Sequence, residues 1–594
     1  MTKIQIANLN SQPEMTGRQQ GLIGVILMFF LPLLLALPLL SQAQSPGPVA
    51  SGSDINLNNY PAADEKEWGQ LLWNLKLANQ DLADFTHYRS VDQQGISANR
   101  YTIAFASYFL ALEQYHKFPA WREAIQPAFD RLIQKMLQKP VWEYWANESF
   151  GITKFEPNMD RPYASSSDPV GYANIMYSGH LGMMINLYQM LYHDMKWDKP
   201  GSIVFQWDEK TRFVYDNRRL QEVMFIQNIT NPVPGIECER NAIFPACNTH
   251  PIISYKLYDQ MHNTRFFASA TSVYNPWCDS VFINPVTKDF ASFYLIKQGW
   301  AFSGWNPRYG NKMDEVMAEM VKKGVDFNSG GNDGWIGTFM HAWRPNLIEN
   351  NYPYLKKKHY KELPNGTAIL TKDVIAPDAY YAFFTALAAE VGDEQAREAL
   401  LKTVDSIYSP VWEDGTYHYP FMDNVPTVNL AAADGAKKPA TPPPATVQPQ
   451  TKQNTAPALP GHGDATNMKT FPSHSDLADR LIAIARALPA KGLYSMVNYP
   501  VDAKHFTEPA ISNVGLNKII LKRALYDRGN KTLIVSTIGK KDGGSASLTI
   551  INLNPAKTYS IEIDKTHHSD VANKPDQIIT IDADKAHDII VSEK

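Results

Sequence analysis

The chain has 594 residues, a formal net charge of −4, and 44% hydrophobic and 20% charged residues. That length exceeds one ordinary core and calls for a large domain with something smaller beside it, and the near-neutral charge leaves no electrostatic footprint for nucleic acid. The 13 Trp, 29 Tyr and 26 Phe suit a large core first, and an apolar or sugar pocket second.

The first element is an uncharged apolar run, GLIGVILMFFLPLLLALPLL, from Gly21 to Leu40, with Lys3 and Arg18 ahead of it and the small-x-small triplet SQA ending at Ala43. Residues 1–43 read as either a signal peptide or an N-terminal membrane anchor. No cysteine directly follows the run, which excludes a lipoprotein anchor. The expectation is an exported protein, periplasmic, extracellular or membrane-anchored, with its body outside the cytoplasm. Residues 44–59 read as a polar tether.

From 60 to 505 the pattern is mostly helical. Tyr101 to His116 is apolar around most of its circumference, as a buried helix would be. Ile125, Phe129, Leu132, Ile133 and Met136 form one stripe at helical spacing. Further helices are predicted over 314–324, over 377–392 between Pro377 and Gly392, directly after that in EQAREALLKTV, and after Ser475, with Leu477, Leu481, Ile484 and Leu488 inward. Between them lie three stretches rich in Trp, Tyr, Gly and Asp that read as loops: PVWEYWANESFGITKFEPNMDRPY, NSGGNDGWIGTF and PVWEDGTYHYP. Helices joined by loops that gather at one end suggest a mainly α protein, an (α/α)6 barrel or helical toroid, with its pocket at the loop-rich mouth. Residues 430–466 are rich in Pro, Ala and Thr and read as a disordered insertion within that barrel. Past 506 the period changes to short β-branched runs separated by turn clusters, which predicts a small C-terminal antiparallel β domain over 506–594 that packs on the helical body.

Two stretches carry chemistry. In GIECERNAIFPACNTHP, residues 235–251, Cys238 and Cys247 admit three readings: a disulfide, part of a zinc site with His250 and His180, or two working thiols. Glu237 and Glu239 flank Cys238 and would raise its pKa, which favours a protonated thiol and a proton donor over a thiolate nucleophile. In GYANIMYSGHLGMMINLYQMLYH, Met176, His180, Met183 and Met184 share one helix face, where a lone His is ordinarily a hydrogen-bonded core residue.

Together these stretches resemble the linalool dehydratase-isomerase family. The chain keeps that family's pattern at Asn174, Ile175, Met176, Tyr177, Gly179, His180 and Leu181, then at Gly235, Ile236, Cys238, Glu239, Phe244, Cys247, Asn248, Tyr258, Asp259 and His262. Weaker echoes extend across most of 65–500. The resemblance implies an (α/α)6 barrel that dehydrates a tertiary allylic, terpene-like alcohol (linalool to myrcene, with linalool–geraniol isomerisation) using no metal or organic cofactor. It implies a small hydrophobic alcohol as substrate and a homo-oligomer, since family members form rings. Carried over by position, Cys238, Cys247, His180 and Glu239 are the implied catalytic residues. Asp84 and Tyr88 stand for the family's early Asp and Tyr, with Asp81 as the competing acid; their spacing departs from the family pattern, and the family's early cysteine pair is missing. Tyr177, Met176, Phe244, Trp335 and Phe339 are the implied substrate contacts. Dehydration needs an acid for the hydroxide leaving group and a base for the adjacent carbon, in a pocket that excludes water. Cys238, with Asp84 and Tyr88, would protonate the hydroxyl, and Cys247 would act at the other end of the allylic system. Two alternatives compete: an exported (α/α)6-barrel glycoside hydrolase or polysaccharide lyase using carboxylates such as Asp333 and Glu413, and a non-catalytic envelope protein that binds hydrophobic ligands. Asp333 and Asp414 each precede a glycine, so both also read as turn residues.

Overall fold

Among the described residues two kinds of helix alternate: largely buried ones, and ones that bury a smaller share of their surface. In the computed structural model, residues 55–90, 98–150, 163–297, 299–302, 329–370, 377–421 and 476–594 are described. The apolar run at 21–40, most of the tether, the helix expected over 314–324 and the 430–466 insertion lie outside them. Among the described residues no helix is long and apolar enough to cross a membrane. The main helices are α1 (Glu65–Ala78), α2 (Asn99–His116), α3 (Ile125–Met136), α4 (Ile175–Tyr192), α5 (Asn217–Thr230), α6 (Pro245–His262), α7 (Phe266–Val281), α8 (Gly330–Met340), α9 (Pro345–His359), α10 (Pro377–Val391), α11 (Glu394–Tyr408), α12 (Asp476–Ala487) and α13 (Gly492–Asn498).

The buried kind carries the even numbers. Every α2 residue from Arg100 to Gln114 is buried, and so is the whole of α4. α3 instead buries Ile125, Phe129, Leu132, Ile133 and Met136, the stripe read from the sequence. α2 packs on α4, α4 on α6, α6 on α8, α8 on α10, α10 on α12, and α12 on α2 again. The odd-numbered helices lie against these: α3 on α2, α5 on α4, α7 on α6, α9 on α8, α11 on α10 and α1 on α12.

Two stretches expected as loops are ordered elements. NSGGNDGWIGTF forms most of α8, capped by Ser329, whose side chain accepts the Asn332 N–H. Its glycines look like loop residues, but one of them is there for contact. A Cβ on Gly334 would stand 2.5 Å from the Phe384 nitrogen and 2.6 Å from the Phe383 carbonyl carbon, so α8 meets the backbone of α10 there. Asp333, read as a turn residue, therefore sits in the first turn of this helix. Gly334→Ala should cost about 1–3 kcal/mol by overpacking, because backbone cannot move aside as a side chain can. Urea unfolding of the variant checks this, and an unchanged midpoint would mean that α8 and α10 have room to part. PVWEDGTYHYP forms a hairpin, β1 (Val411–Glu413) and β2 (Thr416–His418), turned at Asp414 and Gly415 with φ of 51° and 79°. An Asp-Gly pair between two short β-prone runs signals such a turn.

The C-terminal region holds β3 (Ala510–Ser512), β4 (Ile520–Asp527), β5 (Thr532–Ile538), β6 (Ser545–Ile551), β7 (Thr558–Ile563), β8 (Thr566–Ala572), β9 (Gln577–Asp582) and β10 (Asp588–Glu593). They form two antiparallel sheets, ordered β3-β6-β9 and β4-β5-β10-β7-β8. β8, THHSDVA, has no apolar alternation and gives no strand signal in sequence; it pairs only with β7, at the edge of the larger sheet. The loop after α2 hydrogen-bonds into both sheets: Ala524 N–H donates to the Lys117 carbonyl at 2.8 Å, Ala120 N–H to Ala524 at 2.9 Å, and Ile511 N–H to Ala120 at 2.8 Å. The end of the tether is not free either. Ile55, Leu57 and Tyr60 cover Leu525, Ile534 and Ile590 of the larger sheet.

Candidate active site

The loop that carries Cys238 is held from one side chain. Asn248 accepts the Ile236 N–H at 2.8 Å and donates to the Ile236 and Phe244 carbonyls, both at 2.9 Å. Gly235 opens the loop at φ 115°, where a Cβ would meet Ile243 at 3.0 Å. Cys238 N–H donates to the Ala242 carbonyl at 2.8 Å, closing a tight turn. Pro245 then starts α6, its missing N–H costing nothing in the first turn. The result sets Cys238 Sγ 3.2 Å from Cys247 Sγ, both buried and both free thiols. Burial holds the Cys238 thiol well above its usual range; contact with Cys247 and the charge of Glu239 add to this, and Arg100 opposes it. Cys238 is therefore a neutral S–H. Among the described residues no group of three or more His, Cys, Asp or Glu is placed to hold a metal ion.

Four ring-hydrogen-bonding side chains meet in the same core, linked to the thiols through Arg100, whose charge acts on both Cys238 and His180, and through α6, which carries both Cys247 and His250. On α4, His180 Nδ1 lies 2.9 Å from the Tyr108 hydroxyl of α2, while its Nε2 is buried and meets no hydrogen-bond partner among the described residues. On α6, His250 packs its ring against His180 with centroids 3.9 Å apart and the planes tilted by 35°. Trp335 of α8 donates its indole N–H to His250 Nε2 at 3.0 Å. Burial, then His250 and Arg100, push His180 well below the usual imidazole range, and burial takes His250 down to about 3. Phe105 touches both histidines, Trp335, Phe339 and Phe383 edge-on, with centroids 5.6–6.1 Å away. The fully buried Arg100 lies over Tyr144 at 4.1 Å and donates to Met176 Sδ at 3.3 Å.

Cys238, Cys247, His180, Glu239, Met176, Trp335 and Phe339 thus belong to one region, or touch residues that do. Other expected contacts lie elsewhere. Tyr177 donates its hydroxyl to the Met136 carbonyl at 2.8 Å, toward α3. Phe244 packs on Phe293, with centroids 5.0 Å apart. Asp84 closes a surface turn by accepting the Thr86 N–H at 2.9 Å, and hydrogen bonds to Thr86 hold its carboxyl low. Asp81 makes a similar turn with Ala83. Tyr88 is buried under the Lys135 ammonium, 5.0 Å from its ring, and burial raises its pKa. No hydrogen bond or ring contact among the described residues joins Asp84 or Tyr88 to the thiols. Sequence reasoning missed Tyr108, Phe105 and Arg100, and it named His250 only as a possible zinc ligand. One signal was legible: Tyr101, Phe105 and Tyr108 recur at i, i+4 and i+7, an aromatic stripe within a helix that is apolar all round.

Buried neutral imidazoles make the fold acid-sensitive. Burial also pushes His116 and His505 down to about 4, from an unperturbed 6.5. Between those values the unfolded chain binds more protons than the folded one, so stability rises with pH and is lost as pH falls from 6.5 toward 4. Each such histidine contributes up to about 1.4 kcal/mol per pH unit. Thermal midpoints should fall steadily across that window; a flat profile contradicts neutral burial.

A protein-family model described as "Linalool dehydratase/isomerase" matches residues 100–309 and 307–425. Among solved structures, the chain is similar to an alpha-1,6-mannanase from Salegentibacter sp. HEL1_6, at 11% identity over 73% of this chain and 100% of that one, with a TM-score of 0.37. It is similar to a glycosyl hydrolase of family 88 from Bacteroides vulgatus, at 11% identity over 72% and 98%, TM-score 0.37. It is also similar to a polysaccharide lyase, at 12% identity over 74% and 100%, TM-score 0.35. Likeness at this level carries no argument about activity.

Proposed function

The chain belongs to the linalool dehydratase/isomerase family, and from that premise we propose that it is a dehydratase-isomerase acting on a tertiary allylic, terpene-like alcohol. We read the six even-numbered helices as the inner ring of an (α/α)6 barrel and the odd-numbered ones as its outer ring, in keeping with their order of packing. The observation that carries the reading is the contact between two buried thiols, 3.2 Å apart, linked through Arg100 to two neutral imidazoles ringed by aromatic side chains. Such groups suit a hydrocarbon substrate, because a thiol or neutral imidazole costs less to bury than a carboxylate or an ammonium.

The proton bookkeeping closes with these residues alone. Cys238 S–H gives its proton to the hydroxyl as the C–O bond breaks, and water leaves. The resulting thiolate has the Arg100 guanidinium in electrostatic range and the Cys247 S–H in contact. With its own ring proton on Nδ1, donated to the Tyr108 hydroxyl, His180 takes a proton at Nε2 from the carbon next to the cation, forming the double bond. His180 then returns that proton to the thiol pair, and no net proton is gained or lost. In isomerisation, water adds back at the far end of the allylic cation through the same steps in reverse. The closeness of the sulfurs favours one relay over two separate stations at opposite ends of the substrate. Exclusion of water by Phe105, Trp335 and Phe339 would protect the cation.

The two carboxylates named for the glycoside hydrolase alternative are occupied or remote from the thiols and imidazoles among the described residues. Asp333 has both oxygens engaged, one by the Phe290 N–H at 2.8 Å and one by His359 Nε2 at 2.7 Å, and Glu413 is exposed on β1. Incubation of the full chain with linalool, with gas chromatography of the headspace for myrcene and of the extract for geraniol, tests the proposal. Absence of both products, with short allylic alcohols also unchanged, would sink it.

A further inference from the structure

His250 has the chemistry of a second acid–base group, but its surroundings remove it from that work. An indole N–H can only donate, so the 3.0 Å contact with Trp335 makes His250 Nε2 an acceptor. A neutral imidazole carries one ring proton, which must then sit on Nδ1, the nitrogen 3.5 Å from the Met183 thioether sulfur. A second proton could only add at Nε2, where it would face the indole hydrogen head-on. We propose that Trp335 and His250 form a tautomer lock, with His250 a positioning residue that supports the His180 ring while withholding its own basic nitrogen from the reaction. Nε2 of His180 is then the imidazole nitrogen left to exchange protons with substrate. This inference rests on the dehydratase reading for its purpose, but not for its geometry.

The lock has a clear chemical use. Two imidazoles packed at 3.9 Å that could both titrate would share a proton, and the proton taken from substrate could be stranded on the wrong ring. The groups facing the pair are consistent with a single active nitrogen. From α2, Tyr108 stacks on both rings and bonds His180 Nδ1, and the Arg100 charge disfavours a proton on His180. From α4, Met183 offers only a weak acceptor, and on α6 Cys247 precedes His250 by one helical turn. From α8, Phe339 closes on His250 with centroids 4.6 Å apart. Trp335 itself is held flat against Phe383 of α10, 4.6 Å away at an interplanar angle of 8°, so its N–H cannot easily swing off His250. Its role shifts accordingly, from a contact for substrate to a fixed donor to a neighbouring side chain.

Nitrogen-15 magic-angle-spinning spectra of the full chain with labelled histidine read the tautomer directly, without substrate. His250 is assigned by the signal lost in His250→Gln. In the native sequence it should show a proton on Nδ1, unchanged from about pH 5 to about pH 8. A proton on Nε2, or titration within that range, overturns the lock. In Trp335→Phe the Nε2 position is released, and a mixture of tautomers should appear; an unchanged spectrum in a folded variant also overturns it. Kinetics give a second measurement that does not need the Trp335 variant to fold. The amide oxygen of His250→Gln can still accept the indole hydrogen bond, so kcat should fall less than about 10-fold, against about 10²–10⁴-fold for His180→Gln. Equal losses in the two variants would make His250 a proton-exchanging group and end the proposal. If no alkenol is turned over by the native protein, the dehydratase reading fails while the spectra still decide the lock.

Discussion

Replacing Cys238 by alanine should leave a folded protein with kcat lowered by about 10³-fold or more. The thiol is the proposed proton donor to a hydroxide leaving group, and general acid catalysis of this kind contributes about 10²–10⁴-fold. The loss should sit in kcat rather than KM, because a hydrocarbon chain binds through the surrounding rings and not through one sulfur. The stability cost should be about 1 kcal/mol, the ordinary price of a small core truncation. Cys247→Ala should fall nearly as far, and the double variant little further, because two groups that act as one relay are not additive. Cys278 supplies the control. It is buried on α7 but has no part in the proposed chemistry, so Cys278→Ala should keep native activity. Parallel measurement of kcat and thermal midpoint decides the matter. A Cys238→Ala enzyme with more than about a tenth of native kcat would remove the thiol from the mechanism, since that lies below the range expected of any general acid.

Oxidation of the pair should abolish activity, and a dithiol should restore it. Joining Cys238 to Cys247 releases two protons and two electrons to an added oxidant such as diamide, and it removes both exchangeable S–H groups at once. The sulfurs need only close from 3.2 Å to bonding distance. Oxidation should nonetheless be slow. Reaction starts from a thiolate, and burial keeps Cys238 protonated. The two residues are only 1% and 5% exposed, which limits access as well. This bears on the compartment, since the apolar run at 21–40 leads us to expect export to an oxidising environment. Thiol counting and activity on the same sample give the answer. Fully active protein carrying the Cys238–Cys247 bond would make the pair a staple and pass the acid–base roles to Glu239 and His180.

The parts of this molecule legible in sequence were those with one strong period. The α3 stripe, the unbroken apolarity of α2 and the β-branched runs past 510 each report a burial pattern directly. α8 was not legible, because its glycines mimic a loop unless one knows that α10 passes within backbone contact of Gly334. The thiols and His180 could be singled out because they lie in two compact motifs. Asp84 and Tyr88 could be aligned by type but not by place, and the structure sets them at a surface turn and under Lys135. His250 looked like a zinc ligand on residue type alone. Its tautomer depends on Trp335, 85 positions away, and no local pattern encodes a pairing of that range.

The short arm at residues 55–60 has a consequence for how this chain is made. Tyr60 hydrogen-bonds Asp527 across 467 positions, and Ile55 and Leu57 cover strands near the C-terminus. A ribosome delivers the arm early and its landing surface last, so the arm's apolar side chains must wait, uncovered, through most of synthesis. The final strands are therefore more than an appendage: a prematurely terminated chain would leave Ile55, Leu57 and Tyr60 exposed at the start of an otherwise foldable body. Such fragments should be more open to aggregation or proteolysis than the full chain, because β10 both supplies Ile590 under the arm and pairs with β5 and β7.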